Sequence, residues 1–220
     1  MLNIPIKNEH LLSLLKPFEK CILEEHLRYF DQSAKKENAE KWISDEYMKE
    51  VMDQKYAHSG YPEVISGYDL MITHGQTLKN TTDPRVKNTI DMIADSLLNI
   101  QASYTLKSNA LCAVYPPGGF ISWHNNANAP GFNVLFTYSE GGNGWFKYYD
   151  LDKKEVVTMP DVKGWQCKAG YYGSYQETDK VLYHAAYTDD WRVTVAFVLD
   201  SSEMAMGLHE ELIEDISNNF

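Results

Sequence analysis

The sequence predicts an α+β fold: a helical first half, then a jelly roll of about eight short strands, with the helices packed on one sheet. Three observations carry that expectation. Up to residue 101 the apolar residues recur at three- and four-residue intervals, the period of a helix that buries one face. From residue 108 the chain breaks into short runs rich in Val, Ile, Tyr, Phe and Trp, separated by the turn signals PPGG, NAPG, EGGNG, MPDVKG and TDD. Finally, 220 residues with 44% hydrophobic and 23% charged side chains supply one sizeable core. No repeat, low-complexity tract or flexible linker divides it. A single domain, 1–220, is expected, with a mainly helical N-terminal region over 1–107, a jelly-roll core over 108–200 and a C-terminal helix in 201–220.

The elements follow in order. EHLLSLLKPFEKCILEEHLRYF (9–30) places apolar residues at 11, 12, 14, 15, 18, 22, 23, 27 and 30, with Pro17 expected to break the helix. NAEKWISDEYMKEVMDQ (38–54) is a second amphipathic segment. Residues 55–82 are aromatic and loop-like, a candidate lid that carries His58 and His74. DPRVKNTIDMIADSLLNIQ (83–101) opens with Asp83 as cap and Pro84 at the first helical position. The predicted strands are 108–115, 120–124, 132–139, 144–150, 154–159, 165–174, 180–187 and 191–199. HEELIEDISNNF at the end reads as a short acidic helix.

Charge narrows the partners. A net charge of -11 without a Lys/Arg cluster would repel a phosphate backbone, so no nucleic-acid partner is expected. No apolar run reaches the length of a membrane span, and MLNIPIKNEH lacks the pattern of a secretory leader, so a cytoplasmic protein is expected. Cys21, Cys112 and Cys167 are sparse and without a CxxC; the last two read as small core residues.

Two histidines stand out. His124 and His184 each end or interrupt an apolar strand pattern and are followed by polar turn residues. His10, His26 and His209 fall in amphipathic helical segments and read as surface residues. A mononuclear iron(II) site for oxygen activation wants two imidazoles and one carboxylate on one face of the metal, leaving the other face open. His184 lies sixty residues after His124, a comfortable separation for two strands of one jelly roll.

The region 108–200 resembles the iron(II)- and 2-oxoglutarate-dependent oxygenases, of the prolyl-hydroxylase-like double-stranded β-helix kind. YPPGGFISWH resembles the strand entering the first metal histidine, LFTYSEGGNGWFKYYD the strand, Gly-Gly turn and strand that follow, and GYYGSYQETDKVLYHAAYTDDWRVTVAFVL the hairpin of the distal histidine. The resemblance implies that His124 and His184 bind iron(II). It implies that Tyr115, nine residues before His124, contacts the cosubstrate, and that Arg192 and Thr194 form the Arg-x-Ser/Thr pair that holds 2-oxoglutarate. The pair makes physical sense: residues 192 and 194 of a strand point to one face, a guanidinium fork matches a carboxylate, and the hydroxyl adds a bond.

The sequence departs from that family at Asn126. Where an Asp or Glu is expected two residues after the first histidine, the chain reads HNN, and no carboxylate follows before Glu140. Asn126 can ligate through its amide oxygen, a weaker neutral donor. Alternatively water or an anion takes the position, as in halogenating members, or no iron is held; a shifted register would put Asn125 or Asn128 there instead. Trp123, Trp145, Phe146 and nearby tyrosines are expected to line the mouth. The resulting expectation is a dioxygenase that uses Fe(II), 2-oxoglutarate and dioxygen to hydroxylate a small-molecule or peptide substrate. Its rivals are a non-catalytic or degenerate jelly-roll binding module, a halogenase-like enzyme, and a cupin-like metal enzyme without cosubstrate.

Overall fold

The computed structural model describes residues 1–24, 38–53, 65–70, 84–199 and 206–218. Eleven strands are named among them, in two antiparallel sheets. In chain order they are β1 (Leu2–Ile4), β2 (Ile65–Ser66), β3 (Tyr68–Asp69), β4 (Ser108–Tyr115), β5 (Phe120–His124), β6 (Gly131–Ser139), β7 (Gly144–Asp150), β8 (Glu155–Pro160), β9 (Gly164–Tyr172), β10 (His184–Thr188) and β11 (Arg192–Leu199). The larger sheet runs β1-β9-β6-β11-β4-β3 and the smaller β2-β5-β10-β7-β8. From β4 onward the chain crosses to the other sheet at every step except the β7–β8 hairpin and closes a jelly roll.

The five described helices are α1 (Glu9–Leu23), α2 (Ala39–Trp42), α3 (Asp45–Asp53), α4 (Pro84–Ser103) and α5 (Met206–Ser217). Helix α1 starts at Asn8, whose side chain accepts from the Leu11 N–H at 2.9 Å. It does not break at Pro17. Leu11, Leu15, Phe18 and Ile22 are fully buried on both sides of the proline, and their packing outweighs one missing backbone bond. The 38–54 segment divides at Ser44, whose hydroxyl accepts from the Tyr47 N–H at 3.1 Å and so caps a new helix.

Side-chain alternation sorts the interior into three apolar clusters. The first joins α1, α4 and α5 to the outer face of the larger sheet through Cys112, Val114, Phe136, Cys167, Val193, Val195 and Phe197. The second fills the lumen between the sheets with Ala113, Tyr115, Ile121, Leu135, Phe146, Tyr172, Ala186 and Ala196. The third covers the outer face of the smaller sheet with Tyr47, Met48, Val51, Trp123, Tyr183 and Ala185, so α2 and α3 add a small layer of their own. Trp123 and Trp145 belong to this outer cluster and not to the lumen; of the expected mouth residues Phe146 faces inward, with Tyr148 packed beside it. The indole of Trp123 donates to the Ile43 carbonyl at 3.1 Å, which ties the sheet to the α2–α3 junction.

The expected strands 108–115, 120–124 and 144–150 have the bounds observed, and most others shift by a residue or two. The exception is 180–187, where β10 begins only at His184. Strands β1, β2 and β3 went unanticipated, being two or three residues long. His26, His58, His74, Asp83 and nearly all of the candidate lid lie outside the described residues. No described helix is long and apolar enough to cross a membrane.

Candidate metal and cosubstrate site

His124 ends β5 and His184 begins β10, and the antiparallel ladder sets them opposite each other. Between this pair and the Ala186–Ile121 pair the register shifts by one residue, a β-bulge. The extra residue matters. Strict alternation from the inward Ile121 would send Trp123 into the lumen and His124 outward. The bulge reverses both, so the imidazole turns in and the indole turns out.

The two rings lie 4.0 Å apart between centroids, tilted by 51°. Each is only 5% and 7% exposed, respectively. Nδ1 of His124 is 2.8 Å from the Ser122 carbonyl and Nδ1 of His184 is 3.1 Å from the Leu182 carbonyl. A carbonyl only accepts, so each Nδ1 carries the hydrogen, which in the neutral ring leaves the lone pair on Nε2. That backbone anchor sets both the tautomer and the ring orientation of a metal-ligating imidazole. Burial pushes His184 down to about 4, against a small opposing pull from the Leu182 carbonyl, so the ring is neutral at pH 7. A metal ligand must be neutral in this way.

The loop after β5 assigns different tasks to the asparagines. Asn125 is buried, and its amide oxygen accepts from the Ala127 N–H at 2.8 Å. Its side chain is also bonded to Tyr183. Asn128 is exposed. Asn126, half-buried and two residues after His124, is therefore the amide of this loop without that structural commitment among the described residues. Ala127 is held at φ 50, a left-handed conformation that costs a non-glycine residue about 1–3 kcal/mol. Among the described residues no group of three His, Cys, Asp or Glu side chains could hold a metal ion. The donor set thus fits a divalent metal as two neutral imidazoles, with a neutral amide or an exogenous ligand in the third place.

The other end of the lumen is charged. Arg192 is 2% exposed; its Nε donates to Asp161 at 2.9 Å and its NH1 group to the Thr194 hydroxyl at 2.8 Å. Lys168, fully buried, donates to Asp161 at 2.8 Å and to Gln166 at 2.9 Å. Tyr115 is the register partner of Arg192 on β4, its ring centroid 5.6 Å from the guanidinium carbon. Tyr115, Arg192 and Thr194 are thus brought together as the sequence suggested. Lys168 and Asp161 join them from β9 and the end of β8 without having been anticipated. The signal was there: Lys168 is the one charge inside the otherwise uncharged run WQCKAGYY.

Burial raises Asp161, but Arg192 and Lys168 outweigh it and hold the carboxyl below its ordinary value. Burial dominates at Lys168 and pulls it down, opposed by Asp161. Two cations against one carboxylate leave a surplus positive charge in a dry interior, which a ligand carboxylate would neutralise. His184 and Thr188 are four residues apart on β10, so the imidazole end and the cationic end lie roughly 13 Å apart along the strand. Alanines 113, 186 and 196 line the space between them.

Tyr172 on β9 sits edge-on to His184, with ring centroids 4.9 Å apart at 80°. Its hydroxyl is buried and finds no hydrogen-bond partner among the described residues. Such an orphan costs about 1–3 kcal/mol.

No known family model matches the chain, and no curated protein matches it. Among solved structures, the 2OG complex of a viral collagen prolyl hydroxylase from Paramecium Bursaria Chlorella virus-1 is 12% identical at a TM-score of 0.29, covering 71% of this chain and 91% of that one. A cupin domain from Bordetella pertussis Tohama I is 15% identical at 0.27, covering 43% and 85%. Drosophila melanogaster CENP-C bound to CAL1 is 10% identical at 0.28, covering 40% and 62%, so the chain spans less than two thirds of that structure. The jelly roll itself is identified by the strand order and register above.

Proposed function

We propose that the protein is an iron(II)- and 2-oxoglutarate-dependent dioxygenase that hydroxylates a C–H bond of an amino-acyl or small-molecule substrate. The observation that carries this reading is the pair of backbone-anchored imidazoles, His124 and His184, 4.0 Å apart in the lumen of a jelly roll. With Asn126 they would hold the iron. Arg192 and Thr194, joined by Lys168 and with Tyr115 alongside, would hold the far carboxylate of 2-oxoglutarate. Iron chelated by this cosubstrate supplies the oxidising power: one atom of dioxygen goes to succinate as carbon dioxide leaves, the other into the C–H bond.

The chain's own residues do the rest. Ser122 and Leu182 carbonyls keep both imidazoles aimed, and burial keeps His184 unprotonated. Asp161 and Thr194 fix the guanidinium in one plane, so the carboxylate receptor is organised before the ligand arrives. Phe146, Ile121, Leu135 and the three alanines exclude water from the path between the two ends.

Anaerobic titration of the protein with iron(II) and 2-oxoglutarate tests the reading. A weak visible metal-to-ligand charge-transfer band is expected, and its absence refutes the proposal. Asn126→Asp restores an anionic donor and is expected to tighten iron binding by roughly tenfold or more; unchanged affinity would place residue 126 off the metal. One observation favours a second reading, a degenerate binding module: no carboxylate joins the histidines among the described residues. That reading expects neither iron affinity nor a response to 2-oxoglutarate.

A further inference from the structure

We propose that the Tyr172 hydroxyl is a hydrogen-bond donor to the 2-oxo-acid head of the ligand seated before the His124–His184 pair. The inference rests on the dioxygenase reading and assigns that site a residue beyond its metal ligands and its cationic end.

Tyr172 shares its strand face with Gln166 and Lys168, which point into the lumen, and it belongs to the lumen cluster. It is only 2% exposed, yet its hydroxyl meets no acceptor among the described residues. A phenylalanine would fill the same space without stranding a polar atom, so packing accounts for the ring and not for the oxygen. The ring stands edge-on to His184, which keeps it beside a nitrogen ligand of the metal. Phe146 closes the other side of that imidazole, centroids 5.6 Å apart, and Tyr148 is its register partner on β7.

Charge gives the hydroxyl its task. Two imidazoles and an amide contribute no negative charge, so the anionic oxygens around the metal must come from the ligand itself. A tyrosine hydroxyl carries a hydrogen to give, which makes it a donor and not a competing anion. In a dry lumen a neutral donor to an anionic oxygen forms one of the stronger hydrogen bonds available.

Tyr172→Phe in the full chain tests this, since it removes one oxygen and leaves the ring. Three readings are taken on parent and variant: cobalt(II) affinity alone, 2-oxoglutarate affinity of the cobalt-loaded protein, and the melting temperature without metal. The expected result is cobalt affinity unchanged, 2-oxoglutarate affinity weakened roughly five- to fifteen-fold, and a melting temperature equal or higher. Equal 2-oxoglutarate affinity in the two proteins overturns the assignment and leaves Tyr172 a packing residue. Loss of cobalt affinity in the variant overturns it too, because the hydroxyl would then be acting on the metal or its histidines. A parent that binds cobalt but no 2-oxoglutarate, or neither, refutes the dioxygenase reading and this inference with it.

Discussion

At His184 the metal-free protein carries a neutral imidazole pressed between Phe146 and Tyr172, with its Nδ1 hydrogen on the Leu182 carbonyl. Burial depresses its protonation from an ordinary 6.5 to about 4. A depressed value means that the unfolded chain takes up the proton first as pH falls. The stability this group contributes is therefore complete above pH 6.5 and is lost progressively between there and pH 4. The full loss is roughly 3 kcal/mol for that shift. Denaturant unfolding of the metal-free protein from pH 7.5 to pH 4 is expected to show this slope, and His184→Gln to flatten it. At this scale much of the site was legible. His124, His184, Arg192 and Thr194 are polar residues in apolar strand patterns; period-2 alternation puts Arg192 and Thr194 on one face, whereas His124 turns inward only through the β5 bulge. Tyr172 was not, because one tyrosine among fifteen carries no mark of an unsatisfied hydroxyl.

Elements resist prediction where packing overrules local preference. Alternation alone places Trp123 in the mouth, and the bulge in β5 that turns it out and His124 in has no signature in FISWH. Strands β2 and β3 are too short to show a period, and they form only because β5 and β4 offer edges to pair with. Pro17 is the reverse case, a strong local signal overridden. The proline cannot donate to the Ser13 carbonyl, yet α1 runs on because Leu15 and Phe18 beside it are fully buried against the larger sheet. The lost bond and ring clash remain as a cost within a helix that packing has stabilised. Pro17→Ala, discounted for the greater freedom of the unfolded chain, is expected to stabilise the protein by about 1–2 kcal/mol. In a protein of this size that raises the melting temperature by roughly 2–8 °C. A fall in melting temperature would show instead that α1 requires the proline's geometry.

Across the whole molecule the charge distribution is inverted: a chain with a net charge of -11 encloses a lumen with two cations and one carboxylate. Asp161 holds that interior together, since it is the acceptor for both Lys168 and Arg192 and draws β8, β9 and β11 onto one point. Asp161→Asn leaves two buried positive charges facing a neutral amide and is expected to destabilise the metal-free protein by about 3–5 kcal/mol. The loss belongs to the uncompensated charge, not to the removed oxygen. Adding Lys168→Met to that variant removes one of the stranded cations, and the double variant is expected to be more stable than Asp161→Asn alone. The coupling between the two positions should then be at least about 1 kcal/mol by double-mutant cycle. The same charge logic fixes how ligand acts on the fold: 2-oxoglutarate carries in the missing anion, so saturating cosubstrate is expected to raise the melting temperature of Asp161→Asn more than that of the parent. Additive single and double variants, or an equal rise with ligand, would mean that the lumen cations are neutralised elsewhere and are not waiting for a carboxylate.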